Sequence, residues 1–233
     1  MKKASKRVRE NKKLVEKDKA YTLDEAVPVL KQARSVKFDE SVELAVYLGV
    51  DPKQSDQMVR GSVLLPNGLG KKVRVAVFCK GEEANAAKAA GADYVGGQEL
   101  IDKVNSGWLE FDVAVATPDM MRDLAKLGRV LGPRGLMPSP KAGTVTKDVG
   151  KAVTESKAGK VEFKMNKLAG INVAVGKLSF EEKAIVENTR AVIEAILKAK
   201  PQTAKGHYIK NMFISSTMGP GLMLSSSEYK VAV

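Results

Sequence analysis

The hydrophobic pattern of this 233-residue chain changes character twice, near residue 68 and again near residue 159. Between those points short apolar runs alternate with helical stretches of about ten residues. Val73–Cys79, Tyr94–Val95 and Asp112–Ala116 read as strands; Glu82–Ala90, Gln98–Asn105 and the stretch from Pro118 through Leu127 read as helices. Strands and helices in alternation give right-handed crossovers and a parallel sheet covered on both faces. The middle of the chain is therefore expected to be an inserted Rossmann-like α/β domain.

On either side the apolar period is two. Val42, Leu44, Val46 and Leu48 alternate within Ser41–Leu48, the mark of a half-buried strand, and Ser62–Leu65 is a second strand. Val161, Phe163 and Met165, then Ile171, Val173 and Val175, alternate around Lys167–Gly170 and predict an antiparallel hairpin. A last strand runs from about Tyr208 to Thr217. Two helices accompany these strands. Thr22–Glu25 is a capping box opening a short helix limited by Pro28. Ser179–Glu182 is a second such box, ahead of a stripe of Ile185, Val186, Thr189, Val192, Ile193, Ile196 and Leu197. Neither flank can bury a core alone, but combined they supply two helices on an antiparallel sheet. The expected architecture is a split, two-layer α+β first domain, residues 1–67 and 160–233, interrupted by the α/β domain at 68–159. Glycine in both crossings, near Pro66–Gly70 and Ala158–Lys160, is expected to make a hinge.

Charge narrows the function. There are 39 Lys and Arg against 27 Asp and Glu, a net of +12, and the excess sits at the two ends. Met1–Ala20 is the densest basic run and reads as a mobile arm or a fraying helix. Such a field attracts polyanions. The chain has no run of the ~20 apolar residues that span a bilayer and no signal-type N-terminus, so a soluble cytoplasmic protein without a membrane partner is expected. One cysteine, Cys79, and one histidine, His207, leave neither a disulfide nor a zinc cluster, and no cofactor is implied. Both read as structural residues, not catalysts. The glycine-rich stretches lack the strand, loop and helix order that cradles phosphate, so they read as turns. The basic loop Gly128–Pro138 either presents Arg129 and Arg134 to phosphates or packs over the sheet edge. An enzyme using the α/β domain to bind a nucleotide is the alternative function.

Better candidates lie at strand ends in the split domain. Lys37 and Phe38 come just before Ser41, and Lys164 and Lys167 flank the expected hairpin turn. Asn211, Phe213, Ser215 and Thr217 share a face by alternation and lead into Met218 and Gly219, where the backbone is bare. Amides, hydroxyls and lysines of this kind suit phosphates and 2′-hydroxyls. The competing reading makes Phe38 a core anchor and Thr217–Gly221 an ordinary turn. With aromatics at 5%, shape reading of a folded RNA is expected over serial base stacking.

Several of these runs, in order and spacing, resemble the bacterial L-one family of large-subunit ribosomal proteins. They are Lys37–Glu43, Asp56–Gly61 with Leu65–Lys71, Gly91–Gly97, Leu131–Pro138 and Thr217–Pro220. The resemblance implies a two-domain protein whose first domain joins both chain ends. It implies a protein that binds 23S rRNA at the mobile stalk, as a monomer within the ribosome, and helps release deacylated exit-site tRNA. Family members also repress translation by binding their own operon's mRNA. RNA contacts carried over by resemblance fall on Lys37, Phe38, Ser41, Glu43, Lys167, Thr217, Met218 and Gly219. Ser41 stands where many relatives have threonine, which keeps the hydroxyl. Asn172 stands where some have histidine, and that contact is not carried over. Glu43 is unusual facing RNA, since a carboxylate repels phosphate. It is expected to accept from a 2′-hydroxyl or base amino group, or to orient a lysine.

Overall fold

The computed structural model describes residues 5–16, 19–33 and 36–225. It divides into two compact units, Met1–Gly70 with Val161–Val233, and Lys71–Lys160. The architecture is mixed α and β, with several sheets.

In the first unit, β1 (Ser41–Leu48), β7 (Gly170–Lys177), β8 (Ile209–Ser216) and β9 (Gly221–Leu224) form a sheet in the order β7-β1-β8-β9, antiparallel throughout. Alternation sends Val42, Leu44, Val46 and Leu48 inward, all nearly inaccessible to solvent. They meet Ala26, Val27 and Leu30 of α2 (Leu23–Gln32) and Ile185, Val192, Ile193 and Ile196 of α8 (Glu182–Lys198) in one core. The other face of the sheet carries the exposed positions. Two further strands, β2 (Arg60–Leu64) and β6 (Lys160–Lys164), pair separately. α1 (Lys6–Asn11), capped by Ser5, occupies part of the expected basic arm; residues 1–4 and 17–18 of that arm lie outside the described residues.

The capping box at α2 forms in full: the Glu25 amide donates to Thr22 Oγ1, and the Thr22 amide to Glu25 Oε2. The one expected at Ser179 does not. α8 begins after Glu181 with no side-chain cap, because Ser179 donates both its amide and its hydroxyl to the Asp39 carboxylate. The expected hairpin is also absent. β6 and β7 belong to different sheets, and between them Asn166 closes the turn, its side-chain oxygen accepting the amides of Leu168 and Gly170. Alternation identified both strands, but it carries no information about which strand each one pairs with.

In the second unit β4 (Tyr94–Gly96), β3 (Val75–Phe78) and β5 (Val113–Ala116) form a parallel sheet with β3 central. Val75, Val77 and Cys79 pack on one side with Ala87 of α3 (Glu82–Ala89) and Val149, Ala152 and Val153 of α7 (Val149–Ala158). Ala76 and Phe78 pack on the other with Leu100, Ile101 and Val104 of α4 (Gln98–Asn105). Burial pushes the Cys79 thiol up, as suits a small core residue. The expected helix from Pro118 is broken: 3₁₀ turns flank α5 (Met121–Leu124) and lead into α6 (Gly128–Leu131). The segment read as a loop from Gly128 therefore opens as helix. Its Leu131 is fully buried, while Arg129 and Arg134 stay exposed.

Candidate nucleic-acid interface

Because β1 and β8 run antiparallel, the entrance of β1 lies beside the exit of β8: Val42 is opposite Ser216 and Glu43 opposite Ser215. The segment that leads into Ser41 therefore meets the segment that leaves Ser216. Hydrogen bonds between Ser41 and Thr217 join them. Ser41 donates its amide to Thr217 Oγ1 at 3.0 Å, and Thr217 donates its amide to the Ser41 carbonyl at 3.0 Å.

Glu40 completes the junction. It has the same parity as Val42 and Leu44, so its side chain turns inward and is only 2% exposed. A carboxylate placed there must find donors. Oε2 accepts the Ser216 hydroxyl and the Met218 amide, each at 2.8 Å, and Oε1 accepts the Val36 amide at 3.3 Å. Bonds of this charged kind contribute about 1.5–3 kcal/mol each. Gly219 is required by the same arrangement, since a Cβ there would come within 2.3 Å of Ser216 Oγ. Lys177 adds a cation, donating to Ser41 Oγ at 2.9 Å, and Asp39 is held by Ser179.

This clamp fixes the backbone and leaves the flanking side chains outside. Phe38 is 54% exposed and Met218 45%, so Phe38 is no core anchor. Lys37 and Thr217 are exposed beside them, and Glu43 lies one row along the open face, opposite the half-buried Ser215. The clamped end thus brings together Lys37, Phe38, Ser41, Glu43, Ser215, Thr217, Met218 and Gly219. α1 borders the same turn across a cavity of about 380 Å³, with Val8, Lys12 and Val15 on one side and Met218 to Gly221 on the other.

Three expected residues lie elsewhere. Asn211 is exposed opposite Tyr47, toward the far end of β1. Lys164 ends β6, and Lys167 sits in the turn before Gly170, which also faces Tyr47. Six residues of strand separate Tyr47 from Ser41, about 20 Å. The lysines are thus at the opposite end of the sheet from the clamp. Glu40, Asp39 and Lys177 were missed as positioning groups. For Glu40 the signal was available, in a charged residue at an inward position of an alternating run.

Among the described residues, no helix is long and apolar enough to cross a membrane. Residues 29–220 match the model of the ribosomal protein L1p/L10e family. The chain is also 57% identical, over 98% of its own length and 97% of its relative's, to the large ribosomal subunit protein uL1 of Protochlamydia amoebophila (strain UWE25).

Proposed function

The chain belongs to the ribosomal protein L1p/L10e family and is a structural protein of the large ribosomal subunit in the cytoplasm, not an enzyme; from that premise we propose that it binds 23S rRNA at the mobile stalk through the clamped end of its first unit. Residues 1–67 and 160–233 act as the RNA-binding domain, and residues 68–159 as an insert. The nucleotide-binding enzyme considered as an alternative is set aside by family membership.

The observation that carries this reading is the Glu40 junction. A buried carboxylate two residues after Phe38 accepts from Ser216 and Met218, tying segments from opposite ends of the chain together while Phe38 and Met218 themselves stay outside the core. Preorganised backbone, hydroxyls and exposed apolar groups suit a folded RNA read by shape, through its sugars and splayed bases. The cations Lys37 and Lys177 give a salt-dependent share of the affinity. Contact with a mobile stalk would let the protein assist release of deacylated exit-site tRNA. The same surface, meeting a similar fold in its own operon's mRNA, would repress that message.

The test is binding of the full chain to a stalk rRNA fragment against a scrambled duplex, across a salt series. Selective binding that weakens with salt, and falls about tenfold or more in Thr217→Ala or Met218→Ala, supports the proposal. Equal affinity for both RNAs, or variants that bind as wild type, would remove it.

A further inference from the structure

The nine large apolar side chains exposed among the described residues all belong to the unit built from the chain ends. Three of them stand on the open face of the four-stranded sheet: Tyr47 at 42% exposure, Phe213 at 40% and Met223 at 38%. The register makes them neighbours. Phe213 is paired with Ala45 on one side and Met223 on the other, and Tyr47 with Asn211, so Tyr47 and Phe213 are diagonal partners about 7–8 Å apart. Around them the face is nearly bare, with Ala174, Gly170 and Gly221 at the outward positions of β7 and β9. Two rings therefore rise from a shallow floor of small residues. Asn172, beside Ala45, and Asn211, beside Tyr47, supply amides at their edges, and Lys210 places its ammonium 5.3 Å from the Tyr47 ring centroid.

A solvent-facing sheet surface normally carries polar side chains, and an apolar patch of this kind marks an interaction site. The chemistry on the page selects the occupant. Ring faces offer stacking, carboxamides match base edges, and a cation beside a ring suits the phosphate that accompanies a base. The single acid among the outward positions, Glu43, lies at the margin, in the row shared with Ser215. The face is also continuous with the clamped end, since Ser215 is one outward position from Phe213 on the same strand. We infer that this open face is a stacking platform for one or two unpaired nucleotides next to the folded RNA gripped at the clamp. The inference rests on the proposed RNA-binding function and extends it. The low overall aromatic content argued against stacking, but a count of rings does not say where they stand.

The experiment uses the full chain and two RNAs: a stem with an unpaired loop carrying 2-aminopurine, and the same stem with the loop closed by pairing. The inference expects 2-aminopurine quenching on binding and an affinity about tenfold higher for the looped RNA. Phe213→Ser should erase that preference without changing the salt slope, because it removes no phosphate contact. Phe213→Trp should keep it, which separates stacking from a general loss of structure. Thr217→Ala reports on the underlying function. If it binds weakly while Phe213→Ser equals wild type on both RNAs, the platform is wrong and the clamp reading stands. If Thr217→Ala binds as wild type, the RNA-binding reading fails and the platform with it. Should Phe213→Ser instead convert a dimer to a monomer in sedimentation, the face docks a second copy and the inference is overturned.

Discussion

The carboxylate of Glu40 accepts the backbone amide of Met218, 178 residues later in the chain, at 2.8 Å. The bond sets where the Thr217–Gly219 turn stands relative to Phe38, so one buried side chain determines the geometry of a surface it does not itself join.

Glu40→Gln tests that dependence. The amide keeps the volume but can present an N–H where donors already converge on Oε2, and it loses the charge that strengthens the bonds. The expected outcome is a loss of about 1–3 kcal/mol in urea unfolding and a fall of about tenfold in stalk-RNA affinity. Glu40→Gln with both properties unchanged would mean that the clamp is incidental.

Gly219→Ala and Gly221→Ala form a matched pair. A Cβ at Gly219 meets Ser216 Oγ at 2.3 Å, whereas one at Gly221 meets nothing within 4 Å. Gly219→Ala is expected to push Ser216 off Glu40 and weaken RNA binding severalfold, with Gly221→Ala near wild type, since surface changes away from such contacts stay within about 0.5 kcal/mol. A titration of both variants against the same RNA decides it.

Glu43→Gln addresses an acid on the surface proposed to face RNA. It keeps an acceptor but removes the charge, and the expected result is reduced discrimination between the stalk fragment and a scrambled duplex, by about threefold to tenfold. Competition binding at fixed salt reads this directly, and identical selectivity would dismiss a specific role.

Asp112 gives a pH dependence in the second unit. Lys71 donates to it at 3.0 Å, and Arg74 donates both its amide and its Nε at 3.2 Å, holding the carboxyl down at about 2. A carboxyl lowered in the folded state stabilises above its unfolded value near 4, and that contribution is lost as pH falls from about 4 towards 2. Because Lys71 and Arg74 are well exposed, solvent screening reduces it to about 1 kcal/mol. Asp112→Asn should flatten that acid limb in urea melts at several pH values, costing about half as much at pH 3 as at pH 7 and approaching nothing only near pH 2.

What was legible in the sequence followed from periodicity. Alternation from Val42 to Leu48 assigned the two faces of β1, and the spacing of Ile185, Val192 and Ile196 assigned the buried stripe of α8. Pairing was less legible, because β6 and β7 look like a hairpin and bond to other strands instead. β9 was missed, since Gly221–Leu224 is short and follows a glycine–proline turn. α7 was missed too: its burial is confined to Val149, Ala152, Val153 and Ser156, and its cap is a lone Asp148. Ser179 shows how a local signal loses to a distant one, its hydroxyl being taken by Asp39, 140 residues earlier. At the candidate interface the exposed residues near Ser41 and Thr217 were readable, but their hidden support by Glu40 required asking what a charge does at an inward position.

The middle place of β1 in its sheet also sets an order of events. Both of its neighbours, β7 and β8, come from beyond residue 169, so the strand has no partner while most of the polypeptide is being made. The parallel sheet of residues 71–160 draws on nearby segments and is complete much sooner. Contacts between segments far apart in the chain form slowly, and unpaired apolar strands are prone to misassembly. The surface proposed to grip RNA is therefore among the last parts of the molecule to form during synthesis, and a nascent chain cut short before Ser216 cannot complete it.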